Sequence, residues 1–237
     1  MTKNKYEIFP LETDSEYFGI PCAKAVLHEQ LSETCFTRLL ENFNEYKFIQ
    51  IQNNKMQHSN AQLISRFTRA FLIDVNIVME KHLTDTKCSL PSGVTLSNNV
   101  QYDENILASS NHTHTRLIYD NELLKRGGAK MLDQKILDSF NREDRYFALS
   151  YDEKNICNGH MLYSFIDNYL QAIQISVLHP QKGIGSRIYK SLEYAARERG
   201  INLIRSGLSL SNVPSMNLHI KCGYKLVESN QTYHLWN

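Results

Sequence analysis

The sequence lacks the long apolar segment that a membrane-spanning helix requires. No run approaches the ~20 apolar residues needed to cross a bilayer. The first residues, MTKNKYEIFPLETDSEYFG, also lack the apolar core of a secretory signal peptide. We therefore expect a soluble, cytoplasmic protein with no membrane partner.

The sequence also lacks an excess of charge of either sign. It has 26 Lys and Arg against 25 Asp and Glu, which leaves a formal net charge of +1. A nucleic-acid-binding surface usually requires a basic stripe. We therefore predict no nucleic-acid partner.

Paired cysteines and clustered metal ligands are missing as well. The five cysteines are an odd number and form no C-x-x-C motif, which is typical of reduced thiols in a cytosolic protein. Among the nine histidines, His112 and His114 lie two positions apart, but no third ligand follows at a useful spacing. No metal site is predicted.

What the sequence does contain is a strand, a short glycine turn and a helix between Tyr169 and Gly200. From Tyr169 to Leu178 both faces of the segment are largely apolar, which is typical of a central strand covered on both sides. Apolar residues recur at helical spacing after Gly183, with Ile184, Ile188, Leu192, Ala195 and Ala196 on one stripe. The free N–H groups at such a helix start bind anions, most often phosphate.

The glycine turn does not match two common phosphate motifs. It lacks G-x-x-x-x-G-K-[ST], and Ile188 stands where G-x-G-x-x-G requires its third glycine. On the turn alone, an ordinary strand–helix connection with glycines for tight packing remains an equal alternative.

Residues 180–185, PQKGIG, resemble the pyrophosphate loop Q/R-x-x-G-x-G/A of the GNAT acyl-CoA N-acyltransferases, with Pro180 at the position of Gln or Arg. Residues 212–224, NVPSMNLHIKCGY, resemble the second GNAT motif, N-x-x-A-x-x-x-Y-x-x-x-G-[FY]. There Ser215 replaces Ala and His219 replaces Tyr. Two motifs in order, with a helix between them, make the resemblance specific.

The resemblance implies an α/β (α+β mixed sheet) GNAT fold with acyl-CoA, either acetyl-CoA or a longer acyl-CoA, as co-substrate. A backbone N–H near Val177 or Leu178 would polarise the thioester carbonyl where that strand splays from the strand of Leu208. Asn212 would bond the pantetheine arm, although a capping role before Pro214 is the simpler alternative. The residues implied to bind the pyrophosphate are Gln181, Lys182, Gly183, Ile184, Gly185, Ser186 and Arg187. For Arg187, a solvated position on the helix is the alternative.

His219 is the predicted catalytic residue. The tyrosine usual at this position is implied to protonate the leaving thiolate. A histidine has an unperturbed pKa of ~6.5, nearer neutrality than the ~10 of tyrosine. His219 would act as an acid if its pKa is raised, or as a base for the amine if it stays neutral. A helix histidine that only packs or binds CoA is the alternative.

TDSEYFG near the N-terminus and TRLIYDNEL at 115–123 resemble the dTDP-amino-sugar N-acyltransferases of the GNAT superfamily. These enzymes acylate the amine of a nucleotide-linked amino-dideoxy sugar, and the resemblance also suggests a homodimer. Arg116 would bind the diphosphate, because its planar fork suits phosphate oxygens. His114 and Tyr119 would hydrogen-bond or stack on thymine, and Tyr163 would reach the sugar. The alternatives are a surface ion pair for Arg116, with Asp120 or Glu122, and a core position for Tyr163.

The predicted organisation has three parts. Residues 1–87 form an N-terminal αβ domain that runs β-α-β-α-β, residues 88–102 a linker, and residues 103–237 the acyl-CoA-binding catalytic domain. Helices are predicted around 103–110 and 127–142, and a hairpin of 225–227 with 232–236 ends the chain.

Two other functions stay open from the sequence. The chain would be a GNAT enzyme for another small amine or for a peptide N-terminus. Alternatively, it would be a GNAT-fold module that binds CoA without catalysis, an interpretation that the departures at Pro180 and His219 leave open.

Overall fold

A computed structural model describes residues 4–84, 88–108, 113–140, 142–178 and 182–237. The chain is a mixed α/β protein built on one ten-stranded sheet, as the sequence predicted for the fold class. The strands are β1 Tyr6–Pro10, β2 Cys22–Leu27, β3 Phe48–Asn54, β4 Phe71–His82, β5 Val94–Ser97, β6 Tyr146–Tyr151, β7 Cys157–Ile166, β8 Tyr169–Val177, β9 Leu203–Ser209 and β10 Lys225–Trp236. The α-helices are α1 Glu12–Phe18, α2 Glu33–Glu41, α3 His58–Phe67, α4 Glu104–Ala108, α5 Arg116–Tyr119, α6 Asn121–Lys125, α7 Gly128–Ser139, α8 Ile184–Glu198 and α9 Val213–Lys221.

The N-terminal half confirms the predicted β-α-β-α-β order from β2 to β4, and β1 and α1 precede it. Helix α2 begins at a side-chain cap, because the Ser32 hydroxyl accepts a hydrogen bond from the Cys35 N–H at 3.2 Å. Its inward residues Phe36 and Leu39 are fully buried in the core of this half. Apolar periodicity therefore predicted this unit well.

The predicted C-terminal hairpin is wrong, because 225–236 form the single strand β10. The strand order is β1-β2-β3-β10-β4-β9-β8-β7-β6-β5, so the C-terminal strand lies between two strands of the N-terminal half. The polar residues 228–231, between the two predicted arms of the hairpin, pair with β4. Asn230 accepts a hydrogen bond from the Lys55 N–H at 3.3 Å, and Gln231 accepts one from Asn53 at 2.8 Å.

The segment predicted as a linker, 88–102, contains the edge strand β5, which pairs antiparallel with β6. Helices α4 and α7 confirm the two predicted helices with shorter bounds, whereas α5 and α6 were not predicted. The TRLIYDNEL stretch forms α5 and the start of α6, and it packs against the N-terminal half through Leu117 and Leu123.

Strands β8 and β9 separate toward their carboxyl ends. Their parallel pairing runs only from Leu170 with Ile204 to Ala172 with Ser206. Beyond it, β8 stays paired with β7 as far as Val177, and β9 stays paired with β4. The space between 173–177 and 207–209 is called the β8–β9 gap below.

Helix α8 follows β8, and its predicted apolar stripe is buried in the core. Within the described residues, no helix is long and apolar enough to cross a membrane.

Candidate active site

The β8–β9 gap contains a cavity of about 220 Å³. Its walls come from the ends of β8 and β9, the starts of α5 and α9, and the side chains of α7 and α8 that face the gap. The polar residues on these walls are His114, Thr115, Gln174, Tyr189, Ser206, Ser209, Asn212, Ser215 and His219.

His219 lies at the inner end of this cavity and is 1% exposed. Its Nδ1 donates to the Ser215 carbonyl at 2.7 Å, one turn earlier in α9, so its Nε2 is an acceptor in the neutral ring. That nitrogen lies 2.7 Å from the Tyr189 hydroxyl and 2.9 Å from the Ser206 hydroxyl. Burial lowers the pKa of His219, and the Ser215 hydrogen bond opposes this only in part. The ring is therefore neutral near pH 7, as the base alternative requires.

Tyr189 is a site residue that the sequence analysis missed. It lies fully buried on α8, with its ring edge-on to His219 at 4.8 Å between centroids. Burial raises the pKa of its hydroxyl far above the ordinary value, so the group is a proton donor at neutral pH. The available signal was a tyrosine next to Ile188 on the apolar stripe of α8.

The start of α8 provides free backbone donors. Gly183 has the left-handed φ of 75° and precedes the helix, which has no side-chain cap. The first helical bond runs from the Arg187 N–H to the Gly183 carbonyl at 3.1 Å. The N–H groups of Ile184, Gly185 and Ser186 therefore have no partner within the helix.

The surroundings of this helix start fit an acyl-CoA pyrophosphate. Lys182 and Arg187 line a second cavity, of about 510 Å³, next to Leu178. Free N–H groups, the positive end of the helix dipole and two cations are the donor set that a diphosphate requires. Gly185 allows α9 to approach closely, since a Cβ there would lie 2.7 Å from the Leu218 side chain. Gln181 lies outside the described residues.

The two predicted oxyanion donors, the N–H groups of Val177 and Leu178, differ in their hydrogen bonding. The Leu178 N–H donates to the Asn158 carbonyl at 2.9 Å, so it is not free, contrary to expectation. Donors alternate in direction along an antiparallel strand, and Val177 pairs with Gly159. The Val177 N–H therefore faces away from β7, toward the gap, and it remains the candidate donor.

Asn212 lines the cavity and also caps α9, where its side-chain oxygen accepts a hydrogen bond from the Ser215 N–H at 3.1 Å. The capping alternative is therefore present. The predicted pantetheine contact stays a prediction.

The residues predicted to bind the sugar nucleotide separate into two groups. His114 lines the cavity, and its Nδ1 lies 3.0 Å from the Tyr119 hydroxyl. Arg116 instead pairs with Asp14 of α1 at 2.8 Å, with the two side chains 19% and 8% exposed. Tyr163 is 2% exposed in the core of the sheet. Only His114 and Tyr119 therefore come together at the cavity.

Arg116 does not form either ion pair that the sequence suggested as its alternative. Asp120 instead accepts hydrogen bonds from His234 at 2.6 Å and Trp236 at 3.1 Å. Glu122 bonds Lys125 at 2.9 Å. The partner of Arg116 comes from a segment about a hundred positions earlier, which no local pattern indicates.

Among known protein families, the model described as Acetyltransferase (GNAT) family matches residues 112–224. This range contains all the residues that line the cavity. Comparison with curated proteins gave no match.

Three solved structures are similar over most of the chain. A GCN5-related N-acetyltransferase from Sphaerobacter thermophilus is 12% identical, with 98% of this chain and 76% of that one covered and a TM-score of 0.63. A functionally unknown conserved protein from Staphylococcus epidermidis is 13% identical, with 90% and 84% covered and a TM-score of 0.62. A tandem GNAT protein from the clavulanic acid biosynthesis pathway is 14% identical, with 92% and 76% covered and a TM-score of 0.56. At these identities the likeness shows the fold alone.

Proposed function

We propose that the β8–β9 gap is where this chain transfers an acyl group from acyl-CoA to the amine of a small molecule, because the gap holds a cavity and lies within the residues that match the GNAT acetyltransferase family model. The observation that supports the proposal is the pair of Tyr189 and His219 in the gap, with 2.7 Å between the hydroxyl and Nε2. A neutral base and a protonated acid in contact are what acyl transfer to an amine uses.

The acyl donor, when bound, supplies a thioester carbonyl and a thiolate leaving group. The Val177 N–H stabilises the charge that develops on the carbonyl oxygen. Removing one such donor from other acyl-transfer enzymes costs about 3–4 kcal/mol. The free N–H groups before Arg187 and the side chains of Lys182 and Arg187 hold the pyrophosphate at the other end.

His219 and Tyr189 move one proton from the attacking nitrogen to the sulfur. The His219 Nε2 takes the proton that the nitrogen loses when the new amide forms. The Tyr189 hydroxyl gives its proton to the leaving thiolate, and the proton on His219 then crosses 2.7 Å to restore the tyrosine. No proton is gained or lost overall, which suits a pair sealed from solvent.

The narrower candidate is an amine on a dTDP-linked amino-dideoxy sugar. The placement of His114 at the cavity, in contact with Tyr119, supports it. The pairing of Arg116 with Asp14 counts against it, because that arginine was the expected cation for the diphosphate. The substrate class that we propose is therefore a small polar amine, with the amino sugar as one member.

The test is turnover of a matrix of donors and amines by the purified chain. Acetyl-CoA and longer acyl-CoAs are combined with dTDP-amino sugars, other small amines and a peptide with a free N-terminus. Free thiol and product mass are followed. We expect acylated product with at least one small amine and its loss in His219→Ala, but not in His82→Ala, whose side chain is 76% exposed. Binding of acyl-CoA without turnover of any amine would instead indicate a CoA-binding module.

A further inference from the structure

A line of hydrogen bonds runs from the cavity to a buried carboxylate in the N-terminal half. His114 Nδ1 lies 3.0 Å from the Tyr119 hydroxyl, which lies 2.5 Å from the Ser211 hydroxyl. Ser211 lies 2.7 Å from the Ser209 hydroxyl, and Ser209 donates at 2.6 Å to Asp74 of β4, which is 8% exposed. These five side chains are called the polar relay below.

With Asp74 ionised, the proton positions along the relay are determined. An ionised carboxylate can only accept hydrogen bonds, so the Ser209 hydroxyl donates its one proton to the hydrogen bond with Asp74. Ser211 must then donate to Ser209, Tyr119 to Ser211, and His114 Nδ1 to Tyr119. In neutral His114 this leaves Nε2 with the lone pair, as an acceptor on a residue that lines the cavity.

Acyl transfer to an amine requires the loss of two protons, and the buried pair handles only one. At pH 7, only about one part in 2,500 of a small alkylamine with a pKa near that of lysine, ~10.4, is neutral. The substrate therefore arrives as an ammonium ion, whose first proton must leave before the nitrogen can attack. His219 is sealed from solvent and cannot release that proton to water, whereas His114 is exposed.

We propose that His114 takes the first proton from the substrate ammonium, and that Asp74 is a positioning residue that acts through the relay. The inference rests on the proposed acyl transfer. The ammonium N–H bond breaks, its electron pair stays on nitrogen, and a bond forms between the proton and His114 Nε2. The imidazolium keeps its Nδ1–H on Tyr119 and releases the Nε2 proton to bulk water.

The charges around the relay agree with this role. Burial raises the pKa of Asp74, while the Ser209 hydrogen bond, a backbone hydrogen bond to Val75 and the positive charges of protonated His114 and His234 lower it. A cation on His114 and an anion on Asp74 therefore stabilise each other. Within the part of the chain that the structure describes, the titratable groups that act on or belong to the relay are these two histidines, Tyr119 and Asp74.

The test compares two amines on the His114→Gln variant. With an alkylamine at pH 7, kcat/KM for the amine should fall by about 10²-fold. With an arylamine, which is already neutral at pH 7, the variant should stay within about twofold of wild type. The alkylamine loss should shrink as the pH rises toward 10, and KM for acyl-CoA should not change. His82→Gln is the matched control.

Two further variants test the positioning role from inside the relay. Asp74→Asn and Tyr119→Phe should each lower kcat/KM for the alkylamine by about tenfold and spare the arylamine. Tyr102→Phe, at an exposed tyrosine away from the cavity, is the control.

The outcomes separate the two proposals. Equal losses for both amines would mean that the relay is only structural, and variants that behave like their controls would overturn the inference while acyl transfer stands. A wild-type chain that acylates no amine would overturn the proposed function and the relay with it.

Discussion

The contact between His219 and Tyr189 permits a strict test of the proposed proton transfer. In His219→Ala, the Tyr189 and Ser206 hydroxyls and the Ser215 carbonyl lose their common partner. An unsatisfied buried group costs about 1–3 kcal/mol, so the free energy of unfolding should fall by roughly 3 kcal/mol. Because the lost step is acid–base chemistry, kcat should fall by about 10²–10⁴-fold while acyl-CoA affinity changes little.

A double-mutant cycle shows whether the two residues act as one unit. Tyr189→Phe should lower kcat about as far as His219→Ala, and the double variant should be no slower than the slower single variant. Ser206→Ala, which removes the other hydroxyl on Nε2, is the matched control, with an expected loss under about fivefold. Single-turnover rates with saturating acyl-CoA measure the losses, and urea unfolding checks the fold. The proposed proton transfer would be refuted if the double variant's loss in kcat equalled the product of the two single losses. A near wild-type kcat for His219→Ala would refute it as well.

The pH dependence of the wild type follows from the same contact. Burial lowers the pKa of His219 below its ordinary value of ~6.5, so the neutral ring is present at and above neutral pH. With an arylamine, which has no first proton for His114 to remove, the rate of the chemical step should therefore stay level near pH 7 and decline only as the pH falls through that lowered pKa. A fall centred at or above pH 7 would indicate another titrating group.

Three further changes test the binding site and the framework. Gly185→Val would place side-chain atoms against α9, so KM for acyl-CoA should rise about tenfold or more in steady-state kinetics while KM for the amine holds. Arg116→Ala leaves Asp14 unpaired and should lower the free energy of urea unfolding by about 3 kcal/mol. A tenfold rise in KM for a dTDP-amino sugar at unchanged stability would instead return that arginine to the nucleotide site. Asp120→Ala removes the buried acceptor of His234 and should cost about 4 kcal/mol by the same assay. Burial alone would raise the pKa of Asp120, but hydrogen bonds lower it, so its contribution should be present above pH ~4 and lost as the pH falls further.

The segment from β8 to α8 shows what local sequence can predict. Apolar residues on both faces indicated a central strand, and Tyr169–Val177 is one. The stripe after Gly183 predicted a buried helix, and Ile184–Glu198 is one. Both rest on side-chain period and on the positive φ that glycine adopts readily, which act within a few residues.

The end of the chain shows where local sequence misleads. Residues 228–231 are polar and typical of a turn, but they continue β10 because they pair with β4 and, at Asn230 and Gln231, also with β3. The same limit applies to the Tyr189–His219 pair and to the polar relay. Tyr189 and His219 are 30 positions apart, and Ser209 and Asp74 are 135 apart. No spacing rule links residues over such distances.

The sequence by itself determined the αβ units, the glycine start of α8 and the two motifs that flank the proposed acyl-CoA site, because these depend on period and backbone preference within short segments. The tertiary structure alone decided three features of the site. Arg116 pairs with Asp14, the Leu178 N–H donates to the Asn158 carbonyl, and burial keeps His219 neutral. Strand order sets which distant side chains meet, and burial sets which form of a titrating group is stable. Neither is a property of any local stretch of residues.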